Sequence, residues 1–272
     1  MRVLVTGAFG NVGRSLLLAL AGRGHAVVAA DRASRAAFRA ARAFPGVKVR
    51  WGDLTDPVQV AGLVVGVDAV VHLAAVIPPA SERRPEVARR VNVEGTRNLV
   101  EALRAVNPGA LFVLASSVSV HGPAAASSTP LRASDPACPT DHYSGHKLEA
   151  EALVRASGLP FCILRLNAAM PLKLAQFDPL MFDVSLDSPL EFVHTRDAGL
   201  AFANALDAPE ARGRVLLIAG GERCRTRYRE FFTELLGALG VGMLPDDAFG
   251  DRPFYTGWMD TADSQALLRY QR

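Results

Sequence analysis

Cysteine and lysine are scarce in this chain, and long runs of any one residue class are absent. The three cysteines, Cys138, Cys162 and Cys224, are odd in number and far apart. That pattern excludes a disulfide scaffold, offers no metal-binding spacing and suits a reducing compartment. Neither sign of charge forms the run of five or six that marks a nucleic-acid-binding or acidic-partner tail. Of the 30 cations 27 are arginine, so the pI of about 9.0 reflects arginine usage rather than a basic patch, and the net charge is only +3. No apolar stretch approaches the roughly 18 residues of a membrane helix, and Met1-Arg2 runs straight into a strand-like segment without a cleavable apolar leader. A cytoplasmic protein is expected, one that acts on small molecules without nucleic-acid or membrane partners. Repeats and linkers are missing too.

The composition that remains is globular: 272 residues, half of them hydrophobic and 21% charged. Apolar runs of strand length at 3–5, 26–30, 47–51, 69–73, 111–115, 161–166 and 215–219 alternate with helical patterns at 12–22, 85–106, 143–156, 197–208 and 227–239. Strands hydrophobic on both faces alternating with helices predict an α/β fold, a doubly wound parallel Rossmann sheet with a small C-terminal substrate lobe. Residues 1–166 would form the dinucleotide-binding domain, completed by 192–220. Residues 167–272 would form the lobe, interleaved with the last Rossmann elements. Two irregular stretches, 122–141 and 171–190, exceed ordinary connections and become candidate substrate-facing loops.

Residues 6–13 read TGAFGNVG and place Gly7, Gly10 and Gly13 between the first strand and the first helix. A pyrophosphate needs a tight turn, a backbone free of Cβ atoms and the open N–H groups of a helix N-terminus, which this junction supplies. Eighteen residues later the second strand ends at Asp31, whose carboxylate can accept from both adenosine ribose hydroxyls. Arg32 and Arg35 could bind a 2′-phosphate, but Asp31 would repel it, so NAD is favoured over NADP. Residues 143–147 read YSGHK: Tyr143 and Lys147 are one helical turn apart on a shared face. With 4 Tyr in the chain and three Lys, chance supplies that spacing only about 0.04 times. A phenol is a poor base near neutral pH, and a nearby cation stabilises the phenolate. Ser116 and Ser117 fall at the carboxyl end of the fifth strand, where open α/β sheets bind ligands, and Ser117 could hold a substrate oxygen.

The sequence resembles an extended short-chain dehydrogenase/reductase of the NAD-dependent epimerase/dehydratase family across nearly its whole length. The resemblance rests on TGAFGNVG, Asp31-Arg32, GDLTD, HLAA, VNVEGT, the serine segment, YSGHK and EFVHTRD. It implies an NAD-dependent enzyme in which Tyr143 is the acid/base, Lys147 tunes it and contacts the nicotinamide ribose, and Ser117 orients the reacting oxygen. It also extends the cofactor site to Phe9, Asn11, Val12, Asp53, Leu54, Leu73, Ala74, Ala75 and Asn92. The substrate side would include Ser119, His121 and Asn167, and the family suggests a homodimer through helices 85–106 and 143–156.

Departures from the family pattern narrow the chemistry. The acid and base that sugar-nucleotide dehydratases carry after the serine position are Val118 and Ser119 here, which argues against dehydration. Leu190 stands where nucleotide-sugar epimerases commonly hold a diphosphate arginine, and the stretch 167–191 carries Lys173 against Asp178, Asp183, Asp187 and Glu191. Leu172, Leu174, Phe177, Met181 and Phe182 in that stretch read equally as an apolar pocket or as core. His121 replaces a family tyrosine. His142 and His146 share metal-pair spacing without a third ligand, so no metal site is expected. The expected activity is hydride transfer between NAD and a secondary alcohol or ketone carbon of a sugar-like or other small substrate. The alternatives are a nucleotide-sugar 4-epimerase with tightly bound NAD and a non-catalytic dinucleotide sensor.

Overall fold

The computed structural model describes residues 1–123, 129–170, 179–252 and 257–272. In chain order the elements are β1 (Arg2–Thr6), α1 (Asn11–Leu20), β2 (Ala26–Asp31), α2 (Arg35–Ala41), β3 (Lys48–Trp51), α3 (Pro57–Leu63) and β4 (Ala69–His72). Next come α4 (Ala80–Arg83), α5 (Pro85–Arg89), α6 (Gly95–Val106), β5 (Leu111–Ser117), α7 (His142–Ala156), β6 (Phe161–Leu166) and β7 (Ala168–Met170). The chain ends with β8 (Pro189–His194), α8 (Thr195–Asp207), β9 (Arg214–Ile218), β10 (Arg225–Arg227), α9 (Tyr228–Ala238) and α10 (Ala262–Leu268).

Seven strands form one parallel sheet in the order β3-β2-β1-β4-β5-β6-β9, and β10-β8-β7 form a small mixed sheet. Period-two alternation feeds two cores from the large sheet. Val3, Val5, Val71, Val113 and Leu164 face α1 and α8, meeting Leu16, Leu20 and Phe202. Leu4, Val70, Phe112, Leu114 and Ile163 face the other way, meeting Leu63, Leu99, Leu103 and Val154 of α3, α6 and α7. Each such aliphatic or aromatic side chain contributes about 1.5–3 kcal/mol on burial. Because β2 and β4 flank β1 on opposite sides, the connections diverge there and open a crevice at the strands' carboxyl ends.

The expected helix over 85–106 is interrupted. A wide π-type turn, Arg90–Glu94, separates α5 from α6 and carries Asn92 inward. The expected pocket stretch divides as well. Leu172, Leu174 and Phe177 lie outside the described residues, whereas Met181, Phe182 and the buried Leu190 pack with Tyr228, Phe232 and Leu236 as core of the small sheet and α9. Leu190 therefore marks packing rather than a vacant diphosphate site. Glu191 is also internal, accepting from Arg225 Nε (3.1 Å), Gly221 N (2.9 Å) and Met259 N (2.7 Å), and Asp183 lies 3.5 Å from Arg252. Glu191 thus meets internal donors and Asp183 a neighbouring arginine, and neither lines the groove, while Lys173 and Asp178 of the same stretch lie outside the described residues.

Candidate active site

The junction of β1 and α1 builds the first part of the site. Gly7 has φ +65°, and a Cβ there would lie 2.7 Å from Ala74 N, so only glycine lets this loop cross the one after β4. At Gly13 a Cβ would collide with the Gly7 and Ala8 carbonyls, which brings α1 tight under its own loop. Gly10 precedes α1 in extended conformation and supplies no side-chain cap. The first-turn amides of any helix lack intrahelical acceptors, so this N-terminus faces the crevice as an anion seat.

The crevice is a continuous groove of two adjoining cavities, about 480 and 400 Å³, with Gly7, Gly10, Leu73 and Ala75 common to both. Asp31, Arg32, Asp53, Leu54 and Ala74 line the first. Asn11, Val12, Gly13, Ser117, Tyr143, Lys147 and Asn167 line the second. Asp31 Oδ2 accepts from Phe9 N (3.0 Å) and Oδ1 from Arg32 N (2.8 Å), which leaves each oxygen further lone pairs. The Gly7 and Gly13 cradle, the open helix N-terminus and this carboxylate at the end of β2 fit a dinucleotide laid along the groove.

Four expected contacts are placed differently. Phe9 contributes its amide to Asp31 while its ring packs on Trp51, so the side chain turns away from the groove. Asn92 spends its amide on Val76, donating to the carbonyl (2.9 Å) and accepting from the N–H (2.7 Å), and so shapes the loop after β4 rather than facing a ligand. Ser119 is buried behind Ser117, to whose Oγ it donates from both Oγ (2.8 Å) and N (3.2 Å). The His121 ring is also engaged, with Nδ1 on the Pro136 carbonyl (3.2 Å) and Nε2 accepting from Arg165 (2.8 Å). Burial, then the Arg165 charge, lower its pKa, so the neutral ring suits those bonds and a substrate role is not what this geometry offers.

Helix α7 carries Tyr143 and Lys147 into the groove. Asp141 caps it by accepting from Ser144 N (2.6 Å), while Glu82 of α4 accepts from His142 N and Tyr143 N, both at 3.1 Å. Lys147 lies on the same face as Tyr143, with Nζ 5.8 Å from the ring centroid and donating to the Ala115 carbonyl at 2.7 Å. Burial pushes the Tyr143 phenol above its ordinary range, Asp141 adds to this, and a hydrogen bond with Ser117 opposes it. Burial also draws Lys147 down to about 8, with Glu151 resisting. Ser117 is thus a neighbour whose hydrogen bond favours the phenolate.

Behind the pair lies a network that the sequence pattern did not single out. Glu151 accepts from Ser116 Oγ (2.6 Å) and from Arg165 Nε (2.9 Å) and Nη2 (2.8 Å). Its signal in the sequence was a glutamate one turn past Lys147 on an apolar helix face. His72 bridges two elements: Thr6 donates to Nδ1 (2.7 Å), Nε2 donates to Thr96 Oγ1 (3.0 Å), and Thr96 Oγ1 donates to the Asn92 carbonyl (2.6 Å). That chain fixes the tautomer.

Residues 3–170 match the NAD dependent epimerase/dehydratase family. A 3-beta-hydroxysteroid dehydrogenase of Mycolicibacterium neoaurum is 40% identical over 106 residues, 37% of this chain and 28% of that protein. The match therefore spans well under two thirds of that dehydrogenase. A 2'-dehydrokanamycin reductase of Streptomyces kanamyceticus is 28% identical over 260 residues, 88% of this chain and 67% of that protein. Among solved structures, a dTDP-glucose 4,6-dehydratase from Streptomyces venezuelae with NAD bound superposes with TM-score 0.83 at 26% identity, covering 99% of this chain and 91% of that one. A UDP-glucose-4-epimerase from Stenotrophomonas maltophila with bound NAD gives 0.83 at 22%, covering 100% and 93%.

Proposed function

The chain belongs to the NAD dependent epimerase/dehydratase family, and on that premise we propose that this enzyme moves hydride between NAD and a secondary alcohol or ketone carbon of a small uncharged or sugar-like substrate. The observation that carries this reading is the unbroken groove from Asp31 to Ser117, Tyr143 and Lys147. Bound NAD supplies the hydride acceptor, and NADH the donor.

The chain's own residues supply binding and the proton. Asp31 selects a free ribose diol, since a 2′-phosphate would meet its carboxylate. Tyr143, held protonated by burial, is in the state that donates its proton to a carbonyl oxygen in reduction; in oxidation it must first release that proton to solvent, and the resulting phenolate accepts the hydroxyl proton. Ser117 accepts from Ser119 Oγ and N, which leaves its own proton free for Tyr143 or a substrate oxygen. Lys147 places a positive charge 5.8 Å from the centre of the Tyr143 ring and would hold the nicotinamide ribose when the cofactor is bound. Among the described residues lining this cavity Lys147 is the one cation, and Ile77, Pro78, Leu166 and Ala169 form apolar walls. Such a lining favours a neutral substrate over a diphosphate.

The test is a screen of secondary alcohols and ketones, including sugars, hydroxysteroids and amino-sugar ketones, read by NADH absorbance, with Tyr143→Phe as control. The expected result is turnover that falls roughly 100-fold or more in Tyr143→Phe while NADH affinity holds. Near-normal turnover in that variant refutes the acid/base role. Epimerisation without net NADH change would replace this reading with the epimerase one.

A further inference from the structure

Lys147 sits where a cation is poorly solvated: it is 4% exposed, with Nζ on the Ala115 carbonyl. The groups around it come from several elements. Tyr143 precedes it on α7, Ser116 and Ser117 on β5 are neutral, and His72 on β4 is held neutral, burial and the Lys147 charge drawing its pKa down to about 3. About 100° round α7 from Lys147, His142, Arg89, Glu149 and Glu82 surround His146, Asp141 acts on Tyr143, and Glu94 is paired with Arg89 and Arg97. The carboxylate on Lys147's own side is Glu151, one turn later on the same helical face.

Glu151 is 1% exposed and Arg165 4%, and neither lines the groove. Both Glu151 oxygens are engaged, by Ser116, Arg165 and, at 3.7 Å, Arg155. Arg165 spends its remaining Nη1 on His121 and the Ala133 carbonyl (3.1 Å), which ties β6 to the turn after β5 and to the loop beyond it. A buried ion pair contributes little to stability beyond what apolar residues of equal volume would give, so the fold alone does not call for these charges.

We propose that Glu151 is a positioning residue that keeps the Lys147 ammonium charged at the floor of the groove, with Arg165 and Ser116 holding the carboxylate in place. Burial raises the Glu151 carboxyl; the Arg165 hydrogen bonds and charge outweigh it and hold the carboxyl below its ordinary range. The carboxylate then offsets part of the desolvation that draws Lys147 toward neutrality. The consequence for the reaction rests on the reading of Lys147 given above.

The lysine content makes the test direct. The chain has three lysines, Lys48, Lys147 and Lys173, so carbon-13 labelling at Cε yields three NMR signals, and the one missing from the spectrum of Lys147→Arg belongs to Lys147. In Glu151→Gln the Lys147 midpoint is expected to fall by about one pH unit or more, and the alkaline limb of kcat/KM to move with it. The wild-type advantage should therefore grow about tenfold across that window. Where Glu151→Gln does not fold, Glu151→Gln/Arg165→Met keeps the core filled and should still lower the midpoint, by less. An unchanged Lys147 midpoint in either folded variant overturns the proposal. A lowered midpoint with an unmoved rate profile upholds the assignment of Glu151 and instead refutes the place given to Lys147 in the reaction.

Discussion

Acid should loosen the groove through His72 before it reaches most carboxylates. The ring is buried between β1 and α6, with both nitrogens committed, Nδ1 as acceptor from Thr6 and Nε2 as donor to Thr96. Burial and the Lys147 charge hold its folded pKa at about 3, whereas an unfolded imidazole titrates near about 6.5. The folded value is the lower one, so the stabilisation is fully present above about pH 6.5 and is lost as pH falls from there toward 3. At about pH 5 the unfolded ring lies about 1.5 units below its pKa, and at about 1.4 kcal/mol per unit the loss is about 2 kcal/mol. The assay is urea unfolding at about pH 7 and about pH 5 for wild type and His72→Asn, which keeps an acceptor for Thr6 and cannot titrate there. Wild type should lose about 2 kcal/mol more than the variant across that interval. Equal losses would show that the ring takes up a proton in the folded state and would refute the fixed chain from Thr6 to Asn92.

Three further outcomes follow from the groove. Asp31→Ala should narrow the preference for NADH over NADPH, measured by fluorescence titration of both, and an unchanged ratio would assign selectivity to Arg32 and Arg35. Gly13→Ala should cost about 1–3 kcal/mol of stability and most of the cofactor affinity, because its methyl meets two carbonyls; a thermal melt with and without NAD reads both. UDP- and dTDP-sugars should bind the NAD-saturated enzyme weakly by calorimetry, since each missing charge-assisted contact forfeits about 1.5–3 kcal/mol, and micromolar binding would bring arginines outside this lining into play.

The large sheet was legible because a central parallel strand buries both faces and so reads as an unbroken apolar run, as in 69–73 and 111–115. Short elements gave weaker signals: α2 and α3 hold only seven residues each, and β7, β8 and β10 carry mixed side chains that say little in isolation. The groove glycines, Asp31, Ser117, Tyr143 and Lys147 were readable from spacing, and the fold brings them to one crevice. Partnerships between distant elements were not readable. Nothing local tells that His121 will be consumed by Arg165, or that Glu191 will be buried against Arg225, because both depend on strands paired far apart in the chain.

The route of the chain between its two sheets limits how the molecule can be divided. After β6 it leaves to build β7 and β8, returns through α8 to lay β9 beside β6, and leaves again for β10. A fragment ending near residue 166 would keep the groove glycines and the YSGHK helix yet strip β6 of its outer neighbour, baring the ladder from Cys162 to Leu166 that β9 now covers. An uncovered flat apolar edge is a template for pairing with further copies. Truncations intended to isolate the nucleotide-binding half should therefore collect as aggregates, and restoring residues 192–220 should return them to solution.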